Sequence, residues 1–232
     1  MTVNHLAPGS NPGDGASFSR GSTAVVQGFC KAKVGSSILS LGTIFRFNEM
    51  TATFVIADTH FGHDNICKFT RADGSPLRPF SSAQEMDEEM VKRWNERVKP
   101  NDKVYHLGDV LINKKHFETL SRLNGNKVLI KGNHDIFGVK YLEYFRDIRA
   151  YHVLNGMIFS HIPIHKSSVS RFGCNIHGHL HSTRVCTESG DIDKDYFCVS
   201  VEHTNYTPIL LEDVYKLITA QGGHVGFRNG NY

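Results

Sequence analysis

No stretch of the 232-residue chain approaches 18 uninterrupted apolar residues, so the sequence offers no membrane-spanning helix. The start lacks a charged segment followed by an apolar one, and no secretory signal is expected from it. Cysteine is scarce, with five residues at 30, 67, 174, 186 and 198 and no CxxC pair. That scatter excludes a disulfide scaffold and a thiolate zinc site, and it fits a reducing, cytoplasmic setting. An excess of one charge is lacking too: 26 Lys+Arg against 23 Asp+Glu leave a formal +3, too little to argue a nucleic-acid surface. With 40% hydrophobic and 21% charged residues, global disorder, collagen and coiled coil are excluded. Histidine is the residue in excess, at 14 copies.

Residues 1–49 differ in texture from the rest. They are rich in Gly, Ser, Asn and Pro, as in Pro8-Gly9-Ser10-Asn11-Pro12-Gly13-Asp14-Gly15, and sustain neither a 3.6-residue nor a 2-residue period. A disordered extension is expected there. Gly9-Ser10-Asn11-Pro12 is also what a tRNA T-arm sequence of the type GGTTCGAATCCC spells when translated. Gly35-Ser36-Ser37 gives a related version roughly one tRNA gene further on. The expectation is an accidental translation of neighbouring tRNA genes, with Met50 the true start and residues 50–232 the functional domain.

From Met50 onward the texture is α/β, without internal repeat or low-complexity segment. Thr51–Ala57 is short, apolar and β-branched and ends at a polar loop, as a buried strand does. Ser82 and Glu85 form a capping box ahead of a helix to about Val98, with Met86, Met90 and Trp94 on one face and Pro100 beyond the end. Further strands are expected at Val104–Leu107, Lys127–Ile130, Met157–Ser160 and Phe197–Val201. A short helix from about Lys114 to Leu123 ends at Asn124-Gly125, and a last helix spans Leu210 to Ala220.

Four of these strands run in turn into a polar cluster: Asp58-Thr59-His60, Gly108-Asp109, Gly132-Asn133-His134-Asp135, and His161. Loops beyond the carboxyl ends of strands in α/β sheets line one crevice, so four separate segments can deliver side chains to one place. His177-Gly178-His179-Leu180-His181 adds a fifth cluster, and in an extended piece its three histidines would share a face. Asp, His and Asn without Cys suit divalent Mn, Fe, Zn, Ni or Co. The donor count exceeds the need of one four-coordinate ion and points to two ions about 3.5–4 Å apart. Two cations that close require an anionic bridge, for which Asp109, central in the set, is the natural choice. Such a pair pulls the pKa of a water down to about 7 and clamps a tetrahedral phosphate.

In order and type, Asp58-x-His60, Gly108-Asp109, Gly132-Asn133-His134-Asp135, His161 and Gly178-His179-x-His181 resemble the five signature blocks of the calcineurin-like metallophosphoesterase superfamily, over roughly residues 52–182. The run Asp58-Thr59-His60-Phe61-Gly62-His63-Asp64-Asn65-Ile66 is similar to a small stand-alone subgroup found in bacteria and their phages. The resemblance implies a two-sheet β-sandwich flanked by helices, with the metals at strand ends. It implies that Asp58, His60 and His181 hold the first metal, that Asn133, His161 and His179 hold the second, and that Asp109 bridges them. It also implies that His134 touches the phosphate and protonates the leaving oxygen, while Asp135 supports its loop by hydrogen bonding.

Protein phosphatases of the superfamily carry Gly-Asp-x-x-Asp-Arg-Gly, in which Arg grips phosphate. Here Asp109 is followed by Val110-Leu111-Ile112-Asn113. A phosphodiester or nucleotide substrate is therefore expected, including a nucleic-acid end. The alternatives are a phosphomonoesterase acting on proteins or small molecules and an inactive metal-binding module. An early His-x-His-x-Asp-His block would mark a metallo-β-lactamase-type hydrolase, whereas here Asp-x-His comes first. Substrate-contact candidates are His63, Asn133, His134 and Arg171. His165 rivals His161 as a ligand, His106 and His177 read as supporting residues, and His116 reads as a surface residue. Lys166, Arg71, Arg78 and Arg184 could each meet an anionic substrate or simply face solvent.

Overall fold

The computed structural model describes residues 51–136 and 138–228, so the expectations for residues 1–49 and for a start at Met50 lie outside the described residues. The strands are β1 (Thr53–Ile56), β2 (Lys103–His106), β3 (Asn126–Ile130), β4 (Asp147–Arg149), β5 (His152–Leu154), β6 (Met157–Ser160), β7 (Asn175–His177), β8 (Tyr196–Cys198) and β9 (Ile209–Leu210). The helices are α1 (Ala83–Arg97), α2 (Phe117–Ser121), α3 (Lys166–Val169) and α4 (Leu211–Ala220). One sheet runs in the order β4-β3-β2-β1-β9 and the other in the order β5-β6-β7-β8. This is the expected two-sheet α/β architecture with flanking helices.

Alternation along the strands explains why both faces of the first sheet are buried. Phe54 and Ile56 of β1, Val104 of β2 and Leu129 of β3 enter one apolar cluster, with Met86, Met90 and Trp94 of α1. Their neighbours Val55, Tyr105, Val128 and Ile130 enter a second cluster between the sheets, with Phe159, Ile176 and Phe197 opposite. Residues one apart point to opposite faces of a strand, so continuous apolar runs are what a doubly covered parallel sheet requires. Burying a Met or Leu completely is worth about 1.5–3 kcal/mol relative to exposure. Met86 and Met90, at most 1% exposed, therefore fix α1 on the sheet.

Ser82 caps α1 as expected, its hydroxyl accepting from Glu85 N at 3.2 Å, but the return half of the box differs. The Glu85 carboxylate accepts from Ser81 N and Oγ rather than reaching back to Ser82. The helix expected over Lys114–Leu123 divides into a 3-10 turn, Lys114–His116, and the five-residue α2. Asn113 Oδ1 accepts from Lys115 N and starts that tighter turn. The strand expected over Phe197–Val201 ends at Cys198, and Ser200 instead bridges Ala57, tying the second sheet to the carboxyl end of β1.

The β5–β6 hairpin is not among the elements expected from sequence, although Asn155-Gly156 sits at its turn. Both residues have positive φ, 50° and 74°, the geometry that Asn-Gly pairs favour in two-residue hairpins. Strands β4 and β9 were not expected either; at three and two residues they are too short to show a period.

Candidate metal centre

Strands β1, β2 and β3 are parallel neighbours, so their carboxyl ends lie along one edge. The loops keep that alignment past the strands: Asp58 N donates to Gly108 O at 3.0 Å and His60 N to Asp109 O at 3.0 Å. Strands β6 and β7 are likewise parallel and deliver His161 and His179 from the second sheet. The turns are tight. Asp58, His60, Asp109, His179 and His181 all adopt left-handed backbone, with φ of 59°, 50°, 55°, 71° and 50°. That conformation is uncommon for residues bearing a side chain and concentrates where function demands it. Gly108, at φ 91°, lets the loops close up; a Cβ there would lie 2.6 Å from the Gly132 backbone and 2.7 Å from His161 Nδ1.

Two groups of side chains with metal-ligating atoms result. Asp58, His60 and His181 offer donor atoms within 4.8 Å of one another, and so do Asp109, His161 and His179. The groups meet at Asp109 Oδ2, which lies 3.7 Å from His60 Nε2 and 3.3 Å from His161 Nε2. Asn133 joins the second group, its Oδ1 standing 2.8 Å from His161 Nε2. Among the described residues, Asp58 Oδ1 and both ring nitrogens of His60 are buried without a hydrogen-bond partner. Unmet buried donors and acceptors are costly in a folded protein, and here they face one another at 4.0 Å. The donor set and its unmet atoms fit divalent cations.

The electrostatics agree. Burial pushes the Asp58 carboxyl up to about 6, while the nearby His161 and His181 pull it down. Burial, assisted by the Arg78 charge, holds His60 well below its ordinary value and so keeps the ring neutral, as a ligand must be. Burial also resists ionisation of Asp109, but the His161 hydrogen bond and charge outweigh it and hold the carboxyl below the usual range.

A layer of partners aims the rings. His161 Nδ1 donates to Leu107 O at 2.8 Å, which turns Nε2 toward Asp109 and Asn133. His181 Nδ1 donates to Glu202 Oε1 at 3.0 Å, leaving Nε2 for a metal. Partners of this kind fix the tautomer and orientation of metal-binding histidines. Ser200 Oγ and His179 N both donate to Asp58 Oδ2, at 2.6 Å and 2.9 Å. Asp135 accepts from Asp109 N and Val110 N, each at 2.9 Å, and from Gly132 N at 2.8 Å, so its carboxylate holds two loops together.

His134 is exposed at the rim; its N–H donates to Asp109 Oδ1 at 2.8 Å and its ring centroid lies 5.6 Å from that of His60. The His63 ring centroid lies 5.8 Å from that of His60. Arg171 is not brought in: it is exposed in the turn after α3, and no hydrogen bond or ion pair among the described residues ties it to the cluster. His165 caps α3 through Ser167 N, away from the candidate ligands. Nor does His177 share a face with His179 and His181. Strand β7 ends at His177, and the left-handed turns at 179 and 181 break the alternation on which that reading relied.

Two further placements, those of Arg78 and His116, correct the sequence reading. Arg78 is completely buried and braces the site instead of meeting substrate or solvent, donating to Asp58 O, Thr59 O and Glu202. Glu202, in the turn after β8, is the buried partner of both Arg78 and His181. His116 is half-buried against Asp87, whose carboxylate also accepts from Gly62 N in the first ligand loop. Lys166 is committed to Asp193 and Asp195.

The family model described as calcineurin-like phosphoesterase matches residues 52–228. The uncharacterized protein MJ1445 of Methanocaldococcus jannaschii is 38% identical over 180 residues, covering 73% of this chain and 93% of that protein. The crystal structure of AQ665 from Aquifex aeolicus, a protein of unknown function, is similar with a TM-score of 0.53 at 25% identity, over 72% of this chain and 99% of that one. With a match across nearly all the described residues and two groups of candidate ligands at the strand ends, the chain belongs to the calcineurin-like phosphoesterase family.

Proposed function

We propose that the chain is a two-metal phosphodiesterase acting on nucleotide-type esters. In this reading Asp58, His60 and His181 hold one divalent cation, and Asn133, His161 and His179 hold the other. Asp109 lies between them, its negative charge offsetting their mutual repulsion. The carrying observation is that one oxygen, Asp109 Oδ2, is approached by a histidine from each ligand group. A cation pair there supplies water activation and neutralises charge on a phosphoryl group.

The remaining tasks fall to the chain. Leu107 O and Glu202 keep His161 and His181 in the tautomer that offers Nε2. Asp135 holds the Asp109 and Gly132 loops in register. His134, anchored through its N–H to Asp109, protonates the leaving oxygen from the exposed rim.

Diester preference is supported by Ile112 and Asn113, which stand where the protein-phosphatase pattern carries its Asp-Arg pair and so place no guanidinium there to grip a monoester dianion. Cys67, Cys174, Cys186 and Cys198 are all free, in keeping with a reducing cytoplasm. No helix among the described residues is long and apolar enough to cross a membrane.

The test is hydrolysis of bis-p-nitrophenyl phosphate and p-nitrophenyl phosphate with Mn, Fe, Zn, Ni or Co supplied in turn. Faster turnover of the diester is expected. Faster turnover of the monoester would instead identify a phosphomonoesterase, and no turnover by folded, metal-loaded protein would identify a binding module.

A further inference from the structure

A hollow of about 210 Å³ adjoins the candidate metal centre. Its apolar wall is made by Ile112, Phe117, Ile136 and Tyr141, and Lys114 and Lys140 stand among its lining residues. His134 belongs to both places, lining the hollow while its N–H is held by Asp109. Tyr141 ties the far wall to the same loops, its hydroxyl donating to Asp135 Oδ1 at 3.4 Å. A molecule in this hollow is thus positioned by the elements that position the candidate ligands.

Size and charge narrow the occupant. Pockets for whole drug-sized ligands span about 300–1,000 Å³, so this one matches the size of a single ring system. The occupant must have an apolar face for Ile112, Ile136 and the aromatic wall. Lys114 and Lys140 among the lining residues, with the Lys140 ammonium 4.6 Å from the Phe117 ring centroid at the apolar wall, favour an occupant that carries negative charge beside that apolar face. A purine or pyrimidine joined through its sugar to a phosphate meets both demands. Resting on the reading of the site as a phosphoesterase centre, we propose that the hollow beside His134 is a nucleobase subsite, giving the enzyme its preference for nucleotide esters over simple phosphate esters.

Two lining positions allow a test without disturbing the core. Ile136 is 63% exposed, so a substitution there leaves the fold intact. Gly138 lines the hollow with extended backbone, and the nearest atom to an added Cβ is 3.8 Å away, so a larger side chain is accommodated there without strain. The measurement is calorimetric titration of the full Mn-loaded chain with adenosine 5′-monophosphate, ribose 5-phosphate and inorganic phosphate, repeated for Gly138→Leu and Ile136→Glu. Thermal melting confirms that both variants are folded. In the natural chain the nucleotide should bind about tenfold or more tighter than ribose 5-phosphate, within the range that base stacking provides. In both variants that ratio should fall below about threefold. Equal affinities in the natural chain would overturn the proposal, as would a preference that survives both substitutions or no measurable nucleotide binding. Because these are binding ratios, their failure is distinct from failure of the phosphoesterase reading, which shows as no hydrolysis of bis-p-nitrophenyl phosphate.

Discussion

Glu202 Oε1 accepts from His181 Nδ1 at 3.0 Å and from Arg78 Nε at 2.8 Å, so one buried carboxylate oxygen links a candidate ligand to the most deeply buried cation of the site. Burial resists the ionisation of Glu202, but its two partners hold its pKa below the ordinary value. The carboxylate fixes which His181 nitrogen is free. Glu202→Gln keeps the shape but loses the charge, and metal affinity should fall about 10–100-fold. Calorimetric titration with Mn checks this; unchanged affinity would show that His181 needs no such orientation.

Arg78 carries a structural load through three oxygen acceptors, Asp58 O at 2.6 Å, Thr59 O at 2.9 Å and the Glu202 carboxylate. Arg78→Met fills most of the space but leaves the buried Glu202 carboxylate without its guanidinium, with His181 as its remaining partner. Removing one member of a buried pair costs about 3–5 kcal/mol. Urea unfolding of the metal-free variant should show a loss of that order, and a loss below about 1 kcal/mol, the range of exposed ion pairs, would contradict the bracing role.

His134 is the candidate acid, and its exposed position predicts a split between substrates. His134→Ala should keep both metals yet lose about 10²–10⁴-fold in turnover where the leaving group is a poorly acidic alcohol. A p-nitrophenyl leaving group needs little protonation and should lose far less. Equal losses on the two substrates would remove His134 from the acid role.

Asp109 stands between the ligand groups and also accepts from His134 N. Asp109→Asn keeps the size while deleting the charge that offsets cation repulsion. Metal analysis after dialysis should find both ions lost or weakened together. Retention of two tightly held ions would defeat the bridging assignment.

Much of the centre is legible in sequence for a physical reason: the ligands come directly after parallel strands. Apolar runs such as Phe54–Ala57 and Val104–Leu107 mark doubly buried strands, and the polar residue after each run marks a shared edge. Hence Asp58, His60, Asp109 and His161 can be placed together from the sequence alone. The aiming layer is not legible. Arg78 and Glu202 are 124 positions apart and meet only because their two loops pack on the Asp58 turn, a contact without any local pattern. Strand alternation puts His177 on the wrong face because it is carried past the end of β7, into residues whose left-handed backbone forbids it. The hollow beside His134 is hidden for a similar reason: Ile112, Phe117 and Tyr141 come from three separate turns and helices.

The most direct test of a paired-cation centre is anomalous diffraction from a manganese-soaked crystal of the full chain. Two peaks about 3.5–4 Å apart are predicted. One should be bounded by Asp58, His60 and His181, the other by Asn133, His161 and His179, with Asp109 touching both. A single peak, or peaks away from these residues, would contradict the account.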